Sequence, residues 1–140
     1  MKILVVEDQA VTRELMISVA RAASPGATVW SAADLVSGLS AARRMASLDM
    51  VLLDLGLPDS EGLDGLLCFR ADFPQAKVVI VSSQDTPELI ADALDVGASG
   101  FISKSQGIPG MVAAVKVVAQ GGVYHPPGFA RPPSGRGRRA

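Results

Sequence analysis

Cysteine occurs once in this 140-residue chain, at Cys68, and histidine once, at His125. One thiol excludes an intramolecular disulfide, and one imidazole beside it excludes a cysteine- or histidine-rich metal site. Aromatic residues make up only 4% and charged residues 19%, against 49% hydrophobic. That balance excludes a solvated, disordered chain and fits one globular domain. No apolar run approaches the length that crosses a membrane. Only Ile3-Leu4-Val5-Val6 stand between Lys2 and the acids Glu7-Asp8, too few for a secretion signal. A cytoplasmic location without membrane contact is expected.

Charge is unevenly spread beneath the net value of −1. Residues 126–140 hold four arginines (Arg131, Arg136, Arg138 and Arg139) and no acid, whereas the rest holds nine basic against fourteen acidic residues. An acidic body is a poor grip for nucleic acid and suits a site that collects a cation. The arginine-bearing tail would bind phosphates or membrane only weakly and non-specifically.

What the chain does contain is alternation. Apolar runs at Lys2–Val6, Met50–Asp54 and Lys77–Ser82 read as buried strands, with shorter, more polar ones at Ala27–Ser31 and Gly100–Ser103. Between and after them lie helical patterns: Val11–Ala23 with Val11, Leu15, Val19 and Ala22 inward, and Ala32–Leu48 with Leu35, Leu39 and Ala42 inward. A third carries Leu63, Leu66, Leu67 and Phe69 and stops near Pro74. A fourth starts at an N-cap Thr86 with Pro87 first in the helix and ends at Gly97; the fifth is Pro109–Gln120. Five strands alternating with five helices imply a doubly wound α/β fold. Its parallel sheet takes the order 2-1-3-4-5 if the apolar strands 1, 3 and 4 are central. From Pro126 the composition turns to proline, glycine and arginine. Residues 1–122 are therefore expected to form the domain and 123–140 a linker or disordered tail.

Each strand's polar residues gather at its carboxyl end: Glu7-Asp8 after strand 1, Asp54 after strand 3, Ser82-Ser83 after strand 4, Ser103-Lys104 after strand 5. In that strand order these groups converge on one rim, where open α/β sheets bind ligands. Three crowded carboxylates call for a divalent cation, and oxygen donors favour Mg²⁺. A lysine and a hydroxyl beside them suit phosphoryl oxygens, which points to phosphoryl transfer with a carboxylate as nucleophile. Blander readings stand alongside: Asp54 as a turn cap, Glu7-Asp8 as a helix cap, Ser82-Ser83 as the start of a loop, Lys104 as an edge charge, Phe101 as ordinary core.

The acidic pair, the strand-end Asp54 followed by Leu-Gly-Leu-Pro, the strand-end Ser82 and the strand-end Lys104 together resemble the receiver domain of two-component response regulators over residues 1–122. The resemblance implies a flavodoxin-like (βα)5 fold and a phosphorylation-switched signalling module, not an enzyme with a substrate of its own. It implies that Asp54 accepts the phosphoryl group from a histidine kinase or phosphotransfer protein. Asp8 would be the direct Mg²⁺ ligand, Glu7 its partner through water, and Gly56 a ligand through its carbonyl. Ser82 would close on the phosphoryl oxygens, Lys104 pair with them, and Phe101 swing inward with Ser82. The changed surface would be helix 4, strand 5 and helix 5, and it would also be the face of a phosphorylation-dependent homodimer.

The stretch Ala119-Gln120-Gly121-Gly122-Val123-Tyr124-His125-Pro126-Pro127 looks like the receiver-to-linker junction of NarL/LuxR-type regulators. It implies either the receiver of a DNA-binding transcriptional regulator, with DNA contacted only through an output domain absent from this chain, or a stand-alone receiver acting through proteins. Two departures count: Ser105 follows the lysine where proline is frequent, and Gly56 offers no side chain to attacking water. Against an aspartate-nucleophile phosphatase of the haloacid-dehalogenase type, Gly56 stands where a second Asp is needed. Against a flavodoxin-like cofactor binder, Glu7-Asp8 replaces a phosphate-cradling loop. A phosphorylation-independent receiver would be expected to lack one of the site residues.

Overall fold

A strand followed by a helix must return along the same face before the next strand begins, so neighbouring strands run parallel. The computed structural model describes residues 1–133 and shows this alternation throughout. The elements are β1 (Lys2–Val6), α1 (Ala10–Ala23), β2 (Thr28–Ala32), α2 (Leu35–Arg44) and β3 (Met50–Asp54). They continue with α3 (Asp64–Asp72), β4 (Lys77–Ser82), α4 (Pro87–Asp95), β5 (Gly100–Ser103) and α5 (Ile108–Ala119). All strand pairs are parallel, in the order β2-β1-β3-β4-β5.

Side chains alternate across a strand, which splits the core into two layers. Leu4, Val6, Val51, Leu53, Ile80 and Phe101 pack under α2, α3 and α4, against Leu35, Leu66, Phe69 and Ile90. Ile3, Val5, Met50, Leu52, Val81 and Ile102 face the other way onto Met16, Val19, Met111 and Val118 of α1 and α5. β1, β3 and β4 are the central strands, which explains their nearly unbroken apolar sequence.

Several expectations need correction. α1 buries Met16, Ile17, Val19 and Ala20, while Val11 is 85% exposed. Ala22, also expected to face inward, is exposed as well. In α3, Leu67 is likewise half exposed. The helix expected over Ala32–Leu48 is shorter at both ends. Ala32 completes β2 opposite Val6, and the Asp34 side chain caps α2 by accepting a bond from the Ser37 amide at 2.7 Å.

The fifth strand stands at the edge of the sheet as expected, yet all four of its residues are buried. Tyr124 covers it through a parallel bridge to Gly100, with Tyr124 N donating to Ser99 O and Phe101 N to Tyr124 O, each at 3.0 Å. The segment after α5 therefore packs on the domain as far as Arg131, which pairs with Asp95. The part of the expected tail at 134–140 lies outside the described residues.

Candidate functional site

Strand register assembles the site. Val6 pairs with Leu53, so the next residues, Glu7 and Asp54, come side by side. Asp54 itself pairs with Val81, placing Ser82 one step beyond, and Ser82 pairs with Ser103, placing Lys104 next. The period of two aims Glu7, Asp54 and Lys104 to the α1/α5 side, and Ser82 to the side of Phe101. Asp54, Ser82 and Lys104 border a cleft of about 250 Å³ that Asp8, Gln9 and Gly56 also line, with Glu7 buried behind it.

The electrostatics of the cleft centre on two buried carboxylates. Glu7 is 1% exposed and Asp54 6%. Lys104 Nζ lies 2.9 Å from Glu7 Oε1 and 3.2 Å from Asp54 Oδ1. Burial pushes the Glu7 carboxyl above the usual range; Lys104 and the Gln9 amide oppose this, and the Asp54 charge adds to it. Burial also works against the Lys104 charge, but the bond to Glu7 and the charge of Asp54 outweigh it, so the ammonium is held above its ordinary value.

One cation does not satisfy this cluster. Carboxylate oxygens of Glu7, Asp8 and Asp54 lie within 4.8 Å of one another, with Asp8 exposed. Glu7 Oε1 is buried and accepts no well-aligned hydrogen bond, although the Lys104 ammonium is close by. A buried carboxylate oxygen without a hydrogen bond, next to two more carboxylates, fits a hard divalent cation with oxygen ligands.

Glu7-Asp8 do not cap α1, whose N-cap is Gln9 with no side-chain cap, but the buried carboxylates of Glu7 and Asp54 both accept backbone amides. Glu7 Oε2 accepts from Gln9 N at 3.1 Å at the start of α1, and Asp54 Oδ1 accepts from Gly56 N at 3.1 Å. These bonds fix the carboxylates without consuming every oxygen. A Cβ on Gly56 would stand 3.5 Å from Asp54 Oδ2, an ordinary van der Waals contact, so a residue here lies directly beside the acceptor. Ser82 is 4% exposed, and its Oγ accepts from Gln84 N at 3.0 Å. Phe101 is fully buried in the core beneath α4.

Sequence reasoning missed three supports. Arg13 donates through Nη1 to the Glu7 carbonyl at 2.9 Å, holding the β1–α1 turn from one helical turn away. Asp59, in the loop after Asp54, accepts from the Leu35 and Val36 amides at 2.8 and 3.0 Å and so ties that loop to the start of α2. Ser103 Oγ donates to Asp85 Oδ2 at 2.8 Å and lies 2.7 Å from Ser105 Oγ. The Arg13 spacing was readable as a charge near a turn; the other two join residues far apart in sequence.

The chain as a whole is similar to known proteins. The chain is 38% identical over 138 residues to the glycerol metabolism activator of Pseudomonas putida, a match covering 99% of this chain and 62% of that protein. It is 30% identical to the transcriptional regulatory protein LnrK of Bacillus subtilis, covering 90% of this chain and 57% of the relative. The chain thus spans less than two-thirds of the length of either. A solved LuxR family DNA-binding response regulator from Silicibacter pomeroyi superposes with a TM-score of 0.80 at 27% identity, covering 92% of this chain and 99% of that one. The family model for the response regulator receiver domain matches residues 3–116. This chain belongs to the response regulator receiver domain family of two-component signalling.

Proposed function

We propose that the cleft is a phospho-acceptor site in which Asp54 takes a phosphoryl group from a histidine kinase or phosphotransfer protein. The observation that carries this reading is the Lys104 ammonium lying on both Glu7 and Asp54, with an Asp8 carboxylate oxygen within 4.8 Å of theirs. An Asp54 oxygen attacks phosphorus and forms the new P–O bond. The P–N bond of the donor phosphohistidine breaks, and its electron pair leaves with the imidazole nitrogen. Lys104 and the Ser82 hydroxyl donate to the phosphoryl oxygens as charge accumulates on them. Glu7, Asp8, Asp54 and the Gly56 carbonyl are the residues that would hold Mg²⁺. When bound, that ion neutralises charge on the carboxylates and the incoming phosphoryl group.

The chemistry is self-phosphorylation and self-dephosphorylation, with no further substrate to turn over. Movement of Ser82 and Phe101 would alter the face formed by α4, β5 and α5, which would serve as an output surface and as the contact of a homodimer. The similarity to an activator and to a DNA-binding response regulator supports a receiver that governs transcription through a part of the protein outside this chain. A stand-alone receiver acting through protein contacts is the second reading.

The test is site mapping. After incubation with Mg²⁺ and acetyl phosphate, borohydride trapping and peptide mapping are expected to locate one acyl phosphate, on Asp54. Trapping on another residue, or none alongside demonstrated Mg²⁺ binding and beryllofluoride refusal, would overturn the proposal.

A further inference from the structure

The first backbone amides of a helix have no acceptor within it and must find one outside. In α2 the Ser37 amide is taken locally, by the Asp34 side chain at 2.7 Å. The two amides before it look elsewhere. Leu35 N donates to Asp59 Oδ1 at 2.8 Å and Val36 N to Asp59 Oδ2 at 3.0 Å, across 24 and 23 residues of chain. Each oxygen of the Asp59 carboxylate therefore serves one amide, and the group is gripped from both sides.

The same stretch also carries the acidic turn after β1. Glu7 N donates to Ala32 O at 3.0 Å, at the end of β2 and just before the α2 cap. Residues 32–36 thus hold two loops at once, the one bearing Glu7-Asp8 and the one that follows Asp54. This support is itself fixed to the sheet. Leu35 is buried in the core layer that contains Val6, Leu53 and Leu57, and Gly38 leaves no room for a Cβ above Val6.

Between Asp54 and Asp59 the chain has little slack. Gly56 N is bonded to Asp54 Oδ1 at 3.1 Å, Leu57 is 3% exposed in the core, and Pro58 restricts the backbone before Asp59. Gly56 accordingly lies between two anchors, Asp54 on β3 and Asp59 on the α2 terminus.

We infer that Asp59 is a positioning residue of the acceptor site. By tying the loop after β3 to the α2 terminus, it sets the place of Gly56 relative to Asp54 and to the Glu7-Asp8 turn. The inference rests on the phospho-acceptor reading, in which those carboxylates and the Gly56 carbonyl would share Mg²⁺. A site gathered from separate segments depends on the groups that orient its ligands, and removing one typically weakens metal binding tenfold or more.

The helix supplies its own control. Asp34→Ala and Asp59→Ala each remove one carboxylate and part of the cap from the same α2 terminus, but only the second frees the loop. Calorimetric titration of the full chains with Mg²⁺ at pH 7 is expected to show affinity about tenfold lower in Asp59→Ala and close to the parent's in Asp34→Ala. Hydrogen exchange of the Gly56 amide, followed without metal, should quicken in Asp59→Ala alone. Asp59→Asn keeps one acceptor oxygen and should fall between, and it carries the test if the alanine variant folds poorly. Equal losses in Asp34→Ala and Asp59→Ala, parental affinity in Asp59→Ala, or a Gly56 amide exchanging as in the parent would overturn the positioning role and leave the phospho-acceptor reading standing. Absence of Mg²⁺ binding from every chain, the parent included, would overturn both.

Discussion

The Lys104 ammonium and the Glu7 carboxylate meet at 2.9 Å, joining the end of β5 to the end of β1 across the mouth of the sheet. Glu7 is almost wholly buried, so its charge depends on that neighbour. Lys104→Ala is expected to lower stability at neutral pH by about 1–3 kcal/mol, the cost of a buried group deprived of its partner. Raised folded pKa values set the pH dependence. The stability that the Lys104 pairing contributes is present below the ordinary lysine value of 10.5 and is lost as pH rises through the higher folded value. Glu7 behaves in the same sense: its protonated form is favoured in the fold, so the penalty in the variant shrinks as pH falls. Urea unfolding of both chains across pH checks this.

Mg²⁺ is expected to raise the unfolding temperature of the chain, because it would bind the assembled carboxylates and not the unfolded ones. The increment should vanish in Asp8→Asn and diminish at acid pH, where protons compete for the same oxygens. Thermal melts with and without chelator measure it.

Ser82→Ala removes a hydroxyl whose present bond is only to the Gln84 amide. Stability should change little, while beryllofluoride affinity should fall about tenfold or more, the worth of a hydrogen bond to a charged group. Ser82→Thr keeps the hydroxyl and is expected to bind as the parent does. Calorimetric titration separates the three chains.

Asp59 tests the tie between the acceptor loop and α2. Two backbone amides, from Leu35 and Val36, hold its carboxyl below the ordinary value of 3.8. Such a group contributes stability above that value and loses it as pH falls through the folded pKa. Asp59→Ala should therefore melt at a lower temperature than the parent at pH 7, with the difference closing in strong acid. A gap independent of pH would contradict the cap.

Gly38 shows how tightly α2 sits on β1. A Cβ there would lie 2.9 Å from Val6 Cγ2. Helix propensity alone favours alanine, yet the crowding should make Gly38→Ala destabilising by about 1–3 kcal/mol. Combining it with Val6→Ala should recover part of the loss, which a double-mutant cycle in urea would reveal.

These tests also mark what could be read in the sequence. β1, β3, β4 and β5 were legible to the residue because burial on both faces leaves apolar runs that stop at polar groups. For the same reason the cleft was legible: Asp54 and Ser82 each end a strand, Glu7 and Lys104 each follow one, and register does the rest. The α1 face was not, since two stripes pass through Val19 and their apolar residues alone do not decide between them. Asp59 could not be placed, for it caps a helix 24 residues earlier. The segment after α5 read as linker because proline and glycine signal irregular chain, while the turn closed by Phe129 N on Pro126 O returns Phe129 to the core.

The most direct test of the central claim is intact mass after incubation with Mg²⁺ and acetyl phosphate, run beside Asp54→Asn. The account predicts addition of one phosphoryl group to the parent, abolished by chelator and absent from the variant. An adduct that persists in Asp54→Asn would contradict it.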